Sequence, residues 1–545
     1  MNSNSRLKIW LPLIGAALAV GGMWLGYLLA DGDRLSPAQE KLNTIFELIE
    51  DEYVDEISPD SLIEMTIPHL LNNLDPHSVY IPAKDIDRLG RELESSFFGI
   101  GIQFQLMSDS ICVVEVISGG PAERVGVMAG DRIIAVDGQP LGKDLTNDDV
   151  LSKLRGEKDS HVKITVKRST SRKPLDFDIV RGEIPSVSVD ASYIIDDNIG
   201  YVRINKFAAN TFSEFLQAMV SLGARGAESY ILDLRGNSGG LVDQAILMAN
   251  EFLEPMRTIV EVKGRNPREN ANWLADGTGS FTEQPLVVLV DEFTASSSEI
   301  VAGAIQDNDR GLILGRRSFG KGLVQRPVVL PDSSQIRLTV QRYYTPSGRC
   351  IQKDYTRGNN DSYDKEIIDR YASGEVFNAD SVKFDDKNIF STMAGRPVYG
   401  GGGIMPDVFV PSDTAGVTSY YIQAANAGLL NKFAYEYADL NRADLSKAKD
   451  VAQLLRLLPS DDVLLGAFVR YASQNGIPQR WYYINISAPL IVNQLKALIA
   501  RDILGVTAYF EIYNTTDPTV EAAVRQIREG VNEKIESAIK TDSKQ

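Results

Sequence analysis

Pro285-Leu286-Val287-Val288-Leu289-Val290 is an almost wholly apolar run. It leads into the serine cluster Thr294-Ala295-Ser296-Ser297-Ser298 and then a helical stretch, Glu299–Ile305. A strand with no polar side fits a sheet covered on both faces, as parallel strands joined by helices are. The surrounding chain agrees. From about Val187 to Val410, strand patterns at Ile199–Ile204, Tyr230–Leu234 and Gly311–Leu314 alternate with helical patterns at Thr211–Leu222 and Ala245–Met248. This alternation predicts an α/β core with right-handed crossovers, placed at residues 184–411. At 545 residues the chain is too long for one hydrophobic core, so further domains are expected around it.

Ser296 follows a strand and opens a helix, a placement that exposes a nucleophile among free backbone N–H groups. Serines at a helix start also act as plain caps, so the cluster alone leaves both readings open. A second segment, Phe319-Gly320-Lys321-Gly322-Leu323-Val324-Gln325, puts a lysine in a glycine-flanked turn. The three histidines, His69, His77 and His161, all precede the serine cluster, which excludes the Ser-Asp-His order of α/β-hydrolases. His77 follows the turn signal Asp75-Pro76 and is expected to be a turn or surface residue. His69 sits in a helical pattern, and His161 begins an alternating strand.

If Ser296 is a nucleophile, Lys321 is the group left to take its proton. The lysine must then be neutral, and burial can lower its pKa from about 10.4 by several units. Gln325 cannot titrate; its expected task is to accept a hydrogen bond from the lysine and orient it. Gly315 and Gly320-Lys321 nearly spell a phosphate-binding P-loop. Gly322, however, stands where Ser or Thr would hold Mg²⁺, and a strand pattern follows instead of a helix, so nucleotide binding is disfavoured.

Between Phe97 and Arg181 the rhythm is one of short strands, with a hairpin signal at Asp137-Gly138 and a capping pair at Thr146 and Asp149. This region, residues 97–183, resembles a PDZ domain. Phe98-Gly99-Ile100-Gly101-Ile102 is similar to its carboxylate-binding loop, and Gly119–Gly138 to its Gly-Pro-Ala and Gly-Asp stretch. The resemblance implies a groove for protein or peptide C-termini. Glycines let backbone N–H groups converge on a carboxylate, and an open strand edge pairs with an extended peptide.

The chain from about Ser36 to Val410 resembles the C-terminal processing (tail-specific) peptidases. That resemblance implies Ser296 as nucleophile, Lys321, 25 residues further on, as base, and Gln325 as its support. It places one oxyanion-hole N–H on Gly240, in Asp233-Leu234-Arg235-Gly236-Asn237-Ser238-Gly239-Gly240. The other falls on Ser297, where the family has alanine. A crotonase-like α/β protease core with an inserted β-rich PDZ domain and a serine endopeptidase needing no cofactor are implied. Two other readings exist. A non-catalytic PDZ adaptor on a protease fold would need a missing catalytic residue, and an acyl-CoA enzyme of the crotonase superfamily leaves the Ser-Lys pair unexplained.

A formal net charge of -17 argues against a nucleic-acid partner. The two cysteines, Cys112 and Cys350, fall in different expected domains and read as buried free thiols; no Cys/His cluster supports a metal. The uncharged run Ile9–Ala30, with Arg6 and Lys8 before it and Asp31 and Asp33 after, is expected to be a membrane anchor. Residues 1–35 would then hold a cytoplasmic stub and the anchor, with the body periplasmic or extracytoplasmic; a cleaved signal peptide is the alternative. Residues 36–96 read as helical. So do residues 412–545, whose stripes Val451, Leu454, Leu455, Leu458 and Ile491, Leu495, Leu498 offer a surface for self-association into a homo-oligomer. The polar segment Cys350–Gly400 has no readable role.

Overall fold

The computed structural model describes residues 15–24, 36–90, 96–107, 110–117, 119–142, 145–168, 171–382, 388–531 and 535. The chain divides into two compact units, Met1–Asn73 and Leu74–Gln545.

In the first unit, the described part of the Ile9–Ala30 run is a helix at residues 15–24. Among the described residues no helix is long and apolar enough to cross a membrane. The expectation of an N-terminal anchor, and with it of an extracytoplasmic body, is corrected by this finding. The rest of the run lies outside the described residues. Helices Pro37–Glu52 and Pro59–Asn72 follow, each with proline in its first turn, where its missing N–H costs nothing.

The second unit is built on a six-stranded sheet in the order Val189–Ile195, Ile199–Ile204, Ser229–Asp233, Leu286–Val290, Leu312–Gly315, Val408–Phe409. The first pair is antiparallel and the other four pairings are parallel. Leu286–Val290 is buried along its whole length, as its apolar run requires. Leu286, Val288 and Val290 face a core completed by Phe215, Met248 and Ile300, from helices Thr211–Ala224, Val242–Asn250 and Ser297–Asp307. Val287 and Leu289 face the other side, where Val520, Ala522 and Ala523 of helix Pro518–Arg528 cover the sheet. A helix near the C-terminus thus supplies the cover on this second face.

Beside this sheet, Gln335–Tyr344 pairs with Leu323–Val329, Thr258–Gly264 and Val79–Ile81. The last is a strand inside the stretch expected to be helical. Three residues carry too little periodicity to signal a strand, and pairing with a partner far along the chain decides their conformation. Residues 102–180 form a separate sheet with Ile102–Met107 at one edge, over a core of Ile111, Val113, Ile133, Val150 and Ile164. Ser96–Gly99 pairs with Gly182–Pro185 and ties this sheet's entry to its exit. Helices from Ser419–Asn426 to Val506–Tyr513 pack around Leu430, Phe433, Leu464, Phe468, Ile491 and Leu495. Cys112 is buried against Tyr435 of these helices, whereas Cys350 is only partly buried.

Candidate active site

Ser296 stands between the central strand and helix Ser297–Asp307, with φ 57° and ψ -118°. A side-chain-bearing residue in this region is strained by about 1–3 kcal/mol, and strain of this kind gathers at working sites. The turn is held from behind. Asn237 accepts the Ala295 N–H (3.0 Å) and the Ser298 hydroxyl (3.1 Å) on its carbonyl, while its side chain binds Ile204 O and Gly239 N–H. Close approach makes glycine necessary here. A Cβ on Gly239 would lie 2.7 Å from Ser296 Cβ, and one on Gly240 would lie 2.1 Å from the Phe207 carbonyl oxygen. The Ser297 hydroxyl donates to Gly240 O at 2.8 Å and ties the helix start to the glycine turn. Among the described residues, neither the Gly240 nor the Ser297 N–H has a protein acceptor.

The residue that joins the serine and lysine segments is Glu299. Its buried carboxylate accepts the Ser296 N–H (2.8 Å) and the Lys321 N–H (2.9 Å) on one oxygen. The other accepts the Gly320 N–H (2.7 Å) and the Ser318 hydroxyl (2.5 Å). Burial pushes this carboxyl up, and the four donors oppose it. Lys321 is mostly buried, and burial lowers its ammonium below the ordinary value, with Glu299 opposing and Arg337 adding to the effect. Its Nζ lies 3.5 Å from Gln325 Oε1. The Tyr343 phenol donates to the main-chain carbonyl of Lys321. No hydrogen bond joins Ser296 to Lys321 Nζ among the described residues.

Asp233 and Arg235 are structural. Burial alone would raise the Asp233 carboxyl, but Arg235 (2.7 Å) and Arg203 (3.1 Å) outweigh it and hold the group well below the usual carboxylate range. In the small sheet, Ile100 belongs to the core and its carbonyl accepts the Ala122 N–H at 2.8 Å. Gly101 has φ 80°, and Ile102 begins the open edge strand.

The S41 peptidase family matches residues 198–359, a PDZ family matches 112–168, and a family of unknown function matches 420–505. The chain is similar to the carboxy-terminal-processing protease of Bartonella bacilliformis, with 37% identity over 316 residues, 57% of this chain and 72% of that one. It is 32% identical over 366 residues to the carboxy-terminal processing protease CtpB of Bacillus subtilis, covering 66% and 74% of the two chains. The chain belongs to this family of serine proteases. A solved PDZ domain of the carboxy-terminal protease from Vibrio cholerae, in complex with peptide, is 32% identical; the match covers 17% of this protease and 99% of that chain, with a TM-score of 0.15.

His77 lies in the expected turn, and that turn packs against the site. The histidine is half-buried within the electrostatic reach of Lys321, and its carbonyl accepts the Gln325 amide. The turn is locked by the buried Asp75, which accepts the N–H groups of His77 and Ser78 (each 2.9 Å) and the Thr339 hydroxyl (2.9 Å). The signal was present in Asp75-Pro76-His77-Ser78, but a turn motif does not reveal what it packs against.

Proposed function

We propose that Ser296 is the nucleophile of this protease, Lys321 its general base, Gln325 the group that orients the base, and the Gly240 and Ser297 N–H groups its oxyanion hole. The observation that carries the reading is Glu299, one buried carboxylate accepting the N–H of both Ser296 and Lys321. It brings a strained serine and a lysine of lowered pKa into one site. The domain division is 97–183 for the PDZ domain, 184–411 for a crotonase-like protease core and 412–545 for the helical region.

A substrate protein presents its C-terminal tail to the loop Phe98–Ile102. The glycine-flanked N–H groups hold the terminal carboxylate, and the extended tail adds to the edge strand Ile102–Met107. In the core, the Ser296 hydroxyl turns toward the neutral amine of Lys321 and gives up its proton as Oγ bonds to the scissile carbonyl carbon. The carbonyl oxygen takes the negative charge between the two N–H groups. Lys321, now an ammonium, protonates the departing amine, and the C–N bond breaks to leave an ester on Ser296. Water then gives a proton to Lys321 and attacks the ester, which releases the new C-terminal carboxylate and restores Ser296.

A non-catalytic adaptor would lack one of these groups, and all three side chains are present. The test is cleavage of casein and of tailed peptides by the full chain and by Ser296→Ala. Loss of a nucleophile costs on the order of 10³–10⁶ in rate; undiminished turnover by the variant would overturn the assignment.

A further inference from the structure

We propose that Tyr363, supplied by the segment between Cys350 and Gly400, is a positioning residue for the lysine base. The inference rests on the Ser296–Lys321 reading above. Tyr363 lies on helix Asn360–Ala372 and is 2% exposed. Two arms meet at its hydroxyl. In the first, the hydroxyl lies 2.8 Å from His77 Nε2, and the His77 carbonyl accepts Gln325 Nε2. With its N–H side occupied, the Gln325 amide can turn only its oxygen toward Lys321. In the second, Gln352 Nε2 donates to the hydroxyl at 3.3 Å, while Gln352 Oε1 accepts the Gly322 N–H at 2.9 Å. One phenol therefore steadies both the residue after the base and the residue that orients it.

The proton assignments are mutually consistent. Gln352 donates to the phenol, so the phenol proton is left for His77 Nε2, which must be bare. The imidazole is indeed neutral near pH 7. Burial, with Lys321 and Lys353 nearby, pushes its pKa down to about 4, against a smaller opposing effect of Asp75.

The same segment walls in the lysine turn from outside. Lys353 Nζ sits 4.1 Å from the ring centres of both Phe319 and Tyr363. Arg370, 3% exposed, donates to three consecutive carbonyls ahead of the turn: Arg317 (3.1 Å), Ser318 (2.8 Å) and Phe319 (3.2 Å). These contacts give the otherwise featureless insertion a task.

A neutral amine needs dry and fixed surroundings. The charged or titratable groups around Lys321 are Glu299 on the serine helix, Arg337 and Tyr343 on strand Gln335–Tyr344, and Asp75 and His77 on the preceding turn. Removing the phenol hydroxyl frees both arms at once. The Gln325 amide can then rotate, water reaches the amine, and protonation becomes easier.

The test is Tyr363→Phe in the full chain, which keeps the ring and its packing. Expected are a kcat about tenfold lower, KM within about twofold, and an ascending limb of the pH–rate profile displaced upward by about half a pH unit. His77→Gln, which keeps an acceptor for the phenol, should hold its limb at the wild-type position, whereas His77→Ala, which frees only the first arm, should displace it upward by no more than Tyr363→Phe does. The double variant Tyr363→Phe/His77→Ala should be no slower than Tyr363→Phe, because the phenol substitution already removes the connection that His77→Ala removes. A purely structural tyrosine would lower the unfolding midpoint without moving the limb. Ser296→Ala and Lys321→Ala are measured alongside. If either retains wild-type turnover, the dyad reading fails; if both are inactive and Tyr363→Phe keeps the wild-type limb, only this inference fails.

Discussion

Replacing Glu299 with glutamine should damage stability and catalysis together. The carboxylate accepts four donors, and three of them are main-chain N–H groups that cannot turn round. A glutamine amide placed toward Ser296 and Lys321 would face two of these N–H groups. Placed toward Gly320 and Ser318 it would face one, since the Ser318 hydroxyl can reorient to accept. Even the better rotamer leaves the Gly320 N–H buried without a partner, at about 1–3 kcal/mol. The remaining bonds lose the charge that makes them roughly twice as strong as neutral ones. A cheaper burial for the neutral amide offsets part of this, leaving a net loss of about 2–4 kcal/mol. Because the Ser296 and Lys321 peptides both hang on the lost group, kcat should also fall by about 10- to 100-fold with KM little changed. Urea unfolding and steady-state peptide hydrolysis measure the two effects. A variant with the wild-type unfolding midpoint and kcat would refute the claim that this carboxylate registers the site.

Four further outcomes are expected. Lys321→Arg should be as inactive in kcat/KM as Lys321→Ala, because a guanidinium keeps its proton near neutral pH; partial rescue by arginine would mean that charge, not proton transfer, is what matters. The wild-type rate should rise with pH, since the active form of the base is the deprotonated one, through an apparent pKa below the ordinary lysine value of 10.5. Gly240→Ala should lower kcat by about 10²-fold, because its Cβ would lie 2.1 Å from the Phe207 oxygen and must displace the N–H proposed for the oxyanion hole; an unchanged kcat would remove Gly240 from that role. Amidating a substrate peptide's C-terminus should weaken binding by about 1.5–3 kcal/mol, read as a rise in KM, if the loop Phe98–Ile102 holds the carboxylate.

Local pattern made much of this legible. The apolar run at Leu286–Val290 dictated a doubly covered sheet, and the capping pair at Thr146 and Asp149 forms as read. The serine and lysine turns stood out because their chemistry is unusual over a few residues. Long-range partnerships were not legible. Glu299 looked like an ordinary helix residue until its acceptors were seen to reach Lys321. His77 joins the site only because Val79–Ile81 pairs with Gln335–Arg337. Tyr363 and Arg370 lie in a polar stretch with no periodicity to flag them. The Ile9–Ala30 run was read as an anchor from its lack of charge, whereas no described helix is long and apolar enough to cross a membrane.

The central claim is that peptide cleavage passes through an ester on Ser296 made by a lysine base. The most direct measurement is acid-quenched intact-mass and peptide-mapping mass spectrometry during turnover of a slowly hydrolysed peptide ester. An adduct of the acyl portion on the peptide containing Ser296, absent from Ser296→Ala and much slower to form in Lys321→Ala, is the predicted result. An adduct on another residue, or product release by Ser296→Ala at the wild-type rate, would contradict the account.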